Sequence, residues 1–345
     1  MRKRRPALGP VLNCLAAGLL VTPSLVAGGT MPPRAPPPAG NTARDAPMAM
    51  SPKPLAPCLP ERWVQELWPA PESVTFRPTT LEERLTFARL VPELLRASMK
   101  TRTVPPALVA LAGTAGFELL TWKQGDDVLW VLREQPQHRH GAGAYVFRTG
   151  SATQDVIQAP HAYFDVGTGP LALTLFACAP EGHRPRAFMT NTAHRYRARP
   201  GERRQDADHP ADVAHNPEHL FQQVTDAFAR ELPALRVIQV HGFGKEELDE
   251  RQGLAAVVSP GSRARSPWVR QVALRLGPLL GTGVRVYPDE TQLLGGTQNA
   301  QARLLQAYPN ARFIHLELSA GSRRALTSQE QVACMATALL APVED

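Results

Sequence analysis

The chain has 345 residues and a formal net charge of +7, with 43% hydrophobic and 20% charged residues. That length supports one large domain or two ordinary ones, each with a proper core. Its basic residues are Arg-dominated and scattered, with no Lys/Arg block interleaved with aromatics, which excludes a nucleic-acid-binding footprint.

The start, Met1-Arg2-Lys3-Arg4-Arg5, is basic; an apolar run from about Val11 to Ala27 follows and ends in small residues at Gly28-Gly29. This order is that of a secretory signal peptide over residues 1–28. Asn13 and Pro23 interrupt the apolar run and argue against a single membrane anchor. Losing the leader removes four basic and no acidic residues, leaving +3 of the +7. The expectation is a periplasmic or secreted protein with no membrane span once the leader is gone. Three cysteines remain after it, Cys58, Cys178 and Cys334, so an oxidising compartment allows a bridge between two of them. No C-x-x-C is present for a zinc ribbon or a thioredoxin-like site. Residues 29–60 are dominated by Pro, Ala and Met, a composition that buries no core and reads as an extended tether. The folded domain is expected over residues 61–345.

Within it, Glu61–Trp68 reads as a short docking helix anchored by Trp63 and Trp68. Thr80 followed by Glu82 and Glu83 marks a capped helix start. The apolar stripe of that helix is read at Leu81, Leu85, Ala88 and Val91, continuing through Leu94 and Leu95. Phe117–Lys123 and Asp127–Arg133 are predicted strands of a hairpin that turns at Gly125-Asp126. Gly143–Arg148 follows as a third strand, and the intervening His138-Arg139-His140 reads as a solvated loop rather than a metal site.

The next stretch organises the chain. Val156 and Ile157 begin a buried strand that stops at Pro160, and His161 and Asp165 then sit four residues apart. Pro170–Cys178 reads as a helix and Arg186–Thr192 as a strand, followed by a long polar segment from Ala193 to His219. A loop of that length inside a domain is usually functional or mobile. Leu220, Val224, Phe228 and Leu232 mark an amphipathic helix leading into the strand Arg236–His241, again a β-branched run ending on a His, with Gly242 opening the turn. Strands at Ala255–Ser259 and Val284–Tyr287 alternate with a helix begun by Ser266-Pro267, then comes a Gly295-Gly296 entry to another helix. Ala311–Ser319 is a strand that carries Glu317 within an apolar run, with His315 on the same face, and Ser328–Leu340 closes the chain as a helix. Strands alternating with helices predict an α/β fold with a mixed, largely parallel sheet covered on both faces.

In such sheets ligands bind beyond the carboxyl ends of the strands. Zinc hydrolysis needs three N/O ligands, an open position and a carboxylate that exchanges a proton. His161, Asp165 and the remote His241 supply such a ligand set, with Glu317 nearby. The alternative is that both histidines are strand-end residues donating to backbone carbonyls. No His-Glu-x-x-His helix, Gly-x-Ser-x-Gly elbow, Walker sequence or three-glycine dinucleotide fingerprint is present.

Pro160-His161-x-x-x-Asp165, Val240-His241-Gly242 and Leu316-Glu317-Leu318 together resemble the carboxypeptidase-like zinc hydrolases, nearest the N-formylglutamate amidohydrolase and poly-γ-glutamate hydrolase branches. The resemblance spans Val156 to Ser319 and implies a phosphorylase/hydrolase-like sheet. It also implies a Zn2+ ion on His161, Asp165 and His241, with Glu317 as general base. Carboxypeptidases proper use His-x-x-Glu, so the three intervening residues and the shorter Asp165 depart from the pattern. Arg195 falls where related amidohydrolases carry an Arg that grips a substrate carboxylate, and Asn299 and Arg303 are second candidates for substrate contact. An ion pair of Glu317 with Arg312 or Arg323 is the structural alternative for that carboxylate. The implied substrate is a small acidic N-acyl amino acid or a (γ-)glutamyl-type peptide cleaved at an amide bond. A non-catalytic binding module or a metal-dependent esterase would use the same scaffold.

Overall fold

Strand formers on either side of Gly125-Asp126 build the first hairpin, β1 (Phe117–Gln124) and β2 (Asp127–Glu134), paired from Gln124↔Asp127 to Phe117↔Glu134. The computed structural model describes residues 58–70, 73–196, 209–244, 253–326 and 328–342. The leader and most of the tether lie outside the described residues.

The remaining strands are β3 (Ala144–Arg148), β4 (Asp155–Ala159), β5 (Ala187–Thr190), β6 (Arg236–Phe243), β7 (Ala256–Ser259), β8 (Val284–Val286) and β9 (Arg312–Ser319). They form one sheet in the order β1-β2-β3-β5-β4-β6-β9-β7-β8. The centre is parallel: β4 pairs with β5 and β6, and β6 with β9, while β7 pairs in parallel with β8. The β1-β2-β3-β5 flank and the β7–β9 pair are antiparallel. The expected mixed sheet is thus present, with three of its four parallel ladders gathered where β5, β4, β6 and β9 bring their carboxyl ends to one edge.

Strand alternation splits the core into two. Ile157, Ile238, Val240, Ile314 and Leu316 face one side, under α1 (Glu61–Leu67), α4 (Thr168–Ala177), α6 (Pro267–Leu280) and α9 (Gln329–Leu340). Val156, Val237 and Phe313 face the other, under α2 (Leu81–Lys100), α3 (Pro106–Thr114), α5 (Leu220–Glu231) and α7 (Ala300–Leu305). Trp63 of α1 stacks on Trp122 with ring centroids 4.6 Å apart, so the short first helix is docked as its tryptophans suggested. The expected hydrophobic stripe of α2 is corrected. Leu81 and Leu85 are 63% and 58% exposed, and the buried face is Phe87, Leu90, Val91, Leu94 and Leu95. Spacings of three and four from Phe87 onward keep those five on one side, whereas at about 100° per residue Leu81 and Leu85 fall well round the helix from Phe87, on the solvent side. The Thr80 capping box forms as expected, with Glu83 as the reciprocal partner. Helix α3 and the short α8 (Ala320–Ala325) had not been expected.

Two covalent or ionic ties hold the ends of these elements. Cys58 is bridged to Cys178 at the carboxyl end of α4, with the Cα atoms 5.7 Å apart. Asp155 and Arg236 face each other at the starts of β4 and β6, and the guanidinium grips the carboxylate through both oxygens, at 2.5 and 2.7 Å. A buried carboxylate needs such a partner. The pair locks the register that places Gln158 beside Gln239 three residues on. Among the described residues, no helix is long and apolar enough to cross a membrane.

Candidate metal centre

Pro160 has no N–H to give a ladder, so the chain leaves the sheet directly after β4. It folds into a single helical turn in which Asp165 N donates to His161 O at 2.8 Å. That turn stacks residues four apart on one face, which brings the Asp165 carboxylate beside the His161 ring. His161 Nδ1 lies 3.6 Å from Asp165 Oδ2, and His241 Nδ1, from the end of β6, lies 3.4 Å from the same oxygen. Gly242 N donates to this oxygen at 3.1 Å, anchoring the carboxylate from the neighbouring strand. Register sets Glu317 of β9 directly opposite His241. His315 stacks on His241 with centroids 4.3 Å apart, and its Nε2 lies 3.8 Å from Glu317 Oε1.

The other imidazole nitrogens are committed elsewhere, and neither goes to a backbone carbonyl. His161 Nε2 meets Asp212 Oδ1 at 2.8 Å and His241 Nε2 meets Gln239 Oε1 at 2.7 Å. Asp212 is almost fully buried, and its second oxygen accepts from Arg195 and from His215 Nδ1, the latter at 3.1 Å. Arg195 Nη1 also lies 3.2 Å from His161 Nδ1. A guanidinium only donates, so Nδ1 carries the lone pair and the hydrogen of a neutral His161 sits on Nε2, facing Asp212. Arg195 packs over the rings of Phe164 and Tyr196 at 5.4 and 5.0 Å.

Burial and charge compete at each group. Burial alone would lower His161, but Asp212 and Asp165 more than offset it and hold the imidazole above its ordinary value. Burial pushes His241 down to about 4 despite Asp165. Burial raises Asp165 and Asp212, yet the surrounding imidazoles, with Arg195 beside Asp212, hold both well below the usual carboxylate range. Two carboxylates therefore stay ionised inside a buried cluster of nitrogen donors.

This donor set fits a divalent metal. The candidate ligand atoms of His161, Asp165 and His241 all lie within 4.8 Å of one another, as do those of an overlapping set, His241, His315 and Glu317. The first set is the better one: both Nδ1 atoms face one carboxylate oxygen, and both Nε2 atoms are held by acceptors, the arrangement that leaves the lone pairs on Nδ1, where that of His161 accepts from Arg195 and would pass to an ion. Asp165 lies buried behind the two histidines, which line a cleft of about 300 Å³ together with Arg195, His215, His315 and Glu317. Gly296 shapes its wall: a Cβ there would come within 2.6 Å of the His315 ring, and the backbone holds φ at +59°.

Asn299 also reaches the cleft, but its side chain is spent internally. Oδ1 caps α7 by accepting from Ala302 N, and Nδ2 donates to Gln239. Arg303 is corrected: it is exposed, donates to Gln298 and is not among the residues lining the cleft. The helical period explains this, since Ala302 and Leu305 take the buried face of α7. Of the alternative partners for Glu317, Arg323 donates to the carbonyls of Val166 and Phe243, and Arg312 lies over Trp268. His140 lies away from this centre, 3.3 Å from Glu83. The residues that sequence reasoning missed are Asp212, His215 and Gln239. A single acidic residue between Ala211 and Val213-Ala214, with a His three further on, was the available signal for the first two.

No protein family matches the chain, and no curated protein does. Among solved structures it is similar to an N-formylglutamate amidohydrolase from Ralstonia eutropha, at 15% identity and a TM-score of 0.32, over 54% of this chain and 92% of that one. An aspartoacylase family protein from Mesorhizobium loti is 13% identical, with a TM-score of 0.36 over 64% of this chain and 70% of that one. An ectoine utilization protein from Ruegeria pomeroyi is 14% identical, with a TM-score of 0.31 over 65% and 64%. These include the amidohydrolase branch that the strand-end motifs resemble. At such TM-scores the likeness carries no part of the functional reading, which rests on the residues of this chain.

Proposed function

We propose that the chain is an exported, zinc-dependent hydrolase of an amide bond. The observation that carries this reading is the convergence of two imidazole Nδ1 atoms on one oxygen of Asp165, with both Nε2 atoms held by acceptors. His161, Asp165 and His241 would hold the ion. Zinc in an N/N/O set polarises a carbonyl and acidifies water. Glu317, in register with His241 and 8% exposed at the cleft, would take the proton from the attacking water and return it to the leaving amine. Asp212 would hold the His161 ring through Nε2, and Gly242 N would hold the Asp165 carboxylate, so that neither ligand rotates.

The substrate proposed is a small carboxylate-bearing N-acyl amino acid or a (γ-)glutamyl-type peptide. Among the described residues lining the cleft, Arg195 is the one permanent cation, and its planar fork suits a carboxylate. The Cys58–Cys178 bridge supports an oxidising, extracytoplasmic location.

The test is metal analysis of the purified chain followed by a screen of N-acyl amino acids, glutamyl peptides and matched esters, with and without chelator. The expected result is close to one zinc per chain and chelator-sensitive amide cleavage. Turnover of esters alone would make it an esterase on the same residues. A chain that keeps no metal and turns nothing over would be a binding module, and the hydrolase reading would be wrong.

A further inference from the structure

The face of the sheet below the cleft holds a row of amides where apolar side chains would be expected. Gln158, Gln239 and Gln301 are fully buried, Asn299 is 2% exposed, and the same face carries Val156, Val237 and Phe313 in its core. An amide in such a place costs free energy unless each of its donors and acceptors is met. Here Gln158, Gln239 and Gln301 have protein partners at both ends of the amide, and the partners fit in one direction only.

Amide oxygen and nitrogen look alike in outline, so orientation must come from the partners. Backbone groups settle it at four points. Gln301 Nε2 donates to the carbonyl of Val213 at 2.8 Å, so its oxygen must face Gln239. Gln222 Nε2 donates to the carbonyl of Ala300, which turns its oxygen to accept from Gln301. Thr225 gives its hydroxyl hydrogen to the carbonyl of Phe221 and accepts from Gln158 Nε2 at 3.0 Å, leaving the Gln158 oxygen for Gln239. Asn299 Oδ1 accepts from Ala302 N–H, so Asn299 presents its NH2.

Gln239 sits where these chains meet. Its NH2 donates to Gln158 Oε1 at 2.8 Å and to Gln301 Oε1 at 3.1 Å, which uses both hydrogens. Its oxygen therefore points the other way, to Asn299 Nδ2 and to His241 Nε2 at 2.7 Å. Turning the Gln239 amide over would set oxygen against oxygen twice and nitrogen against nitrogen at Asn299. His241 Nε2 must then donate, and a neutral imidazole with its hydrogen on Nε2 has its lone pair on Nδ1, the atom 3.4 Å from Asp165.

We infer that Gln239, oriented through Gln158, Gln301 and Asn299, is a positioning residue that fixes the tautomer of His241 and so presents Nδ1 toward Asp165. Only the identity of what Nδ1 receives rests on the hydrolase reading above. The test is long-range 1H–15N correlation on the metal-free full chain labelled at histidine, with His241 assigned from a His241→Gln sample. The expected wild-type signal is a single Nε2–H tautomer at His241. In Gln239→Met, which keeps the length and loses the acceptor, the Nδ1–H form should grow. Zinc affinity, read by chelator competition, should fall about 10- to 100-fold, the usual range for loss of a partner behind a metal ligand. The His161 signals, held by Asp212, should stay as they are. An Nδ1–H tautomer in the wild type overturns the inference, as does a Gln239→Met protein with unchanged His241 signals and zinc affinity. The first measurement needs no variant, so misfolding of Gln239→Met leaves the test standing. A wild-type chain with the Nε2–H tautomer but no zinc affinity would sink the hydrolase reading and leave the tautomer assignment intact.

Discussion

Replacing Asp212 by Asn is the most informative single change in this molecule. The side chain is 1% exposed and receives His161 Nε2, Ala214 N, Arg195 and His215 Nδ1. Four donors on two carboxylate oxygens suit an anion. An amide of the same shape offers one oxygen and turns an NH2 toward at least one of those donors. The neutral side chain also leaves the Arg195 guanidinium, 15% exposed, without its carboxylate. Removing one member of a buried pair costs about 3–5 kcal/mol, and the partial exposure of Arg195 puts this case near the lower end, about 3 kcal/mol. For a domain of this size that is a fall in Tm of about 5 °C. Because Asp212 also orients His161, zinc affinity should drop about 10- to 100-fold. Thermal melting of the metal-free protein reads the first effect and chelator competition reads the second. An Asp212→Asn protein whose Tm stays within about 1 °C of the wild type would remove the ion-pair argument. Unchanged zinc affinity would separately remove Asp212 from the metal centre.

Glu317→Gln should fold, keep its metal and lose on the order of a hundredfold or more in kcat; near-normal turnover would leave β9 as scaffold only. Arg195→Lys keeps the charge but not the fork, so KM should rise for acidic substrates and hardly change for neutral analogues, whereas equal losses on both would point to its role beside Asp212 alone. His219 caps α5 and donates Nε2–H to the Gly141 carbonyl at 2.9 Å, and burial, reinforced by His140, holds it at about 4. Unfolded, it titrates near 6.5, so the unfolded chain takes up the proton first and stability falls as pH drops from about 6.5 to about 4, by up to about 1.4 kcal/mol per pH unit. His219→Asn keeps a capping oxygen and has nothing to titrate, so denaturant midpoints across that window should show a slope shallower by about that amount; an unaltered slope would clear His219 of this role.

Local rules carried most of the architecture. The hairpin at Gly125-Asp126, the Thr80 capping box and the proline start of α6 each depend on residues within a few positions of one another, and each formed where expected. The errors came where tertiary context chooses between equal local options. Leu81 and Leu85 share the four-residue spacing of Leu90 and Leu94, but they lie on another face of α2, and only the face of Phe87, Leu90 and Leu94 packs on the sheet, against Phe117 and Leu132. Helix α3 was missed because it is apolar nearly all round, so no stripe announces it.

The site divides along the same line. His161 and Asp165 were legible because a strand ended by Pro160 and a four-residue spacing leave little choice of geometry, and His315 and Glu317 because strand alternation puts them on one face. Asp212 was not, since its meaning lies in a contact across 51 residues, and its apolar neighbours and the His three further on mark it out without naming that partner. Gln239 was legible and unread. Val-Ile-Gln occurs twice, at 156–158 and 237–239, and the two glutamines are direct neighbours in the sheet. An amide in the middle of a β-branched run is a stronger clue than a histidine at its end. A strand-end histidine can be satisfied by water or a carbonyl, whereas a mid-strand amide facing the core must have protein partners for every donor and acceptor. The partners here lead from Gln158 through Gln239 to His241, so the polar residues that the core tolerates trace a path to the metal ligand they support.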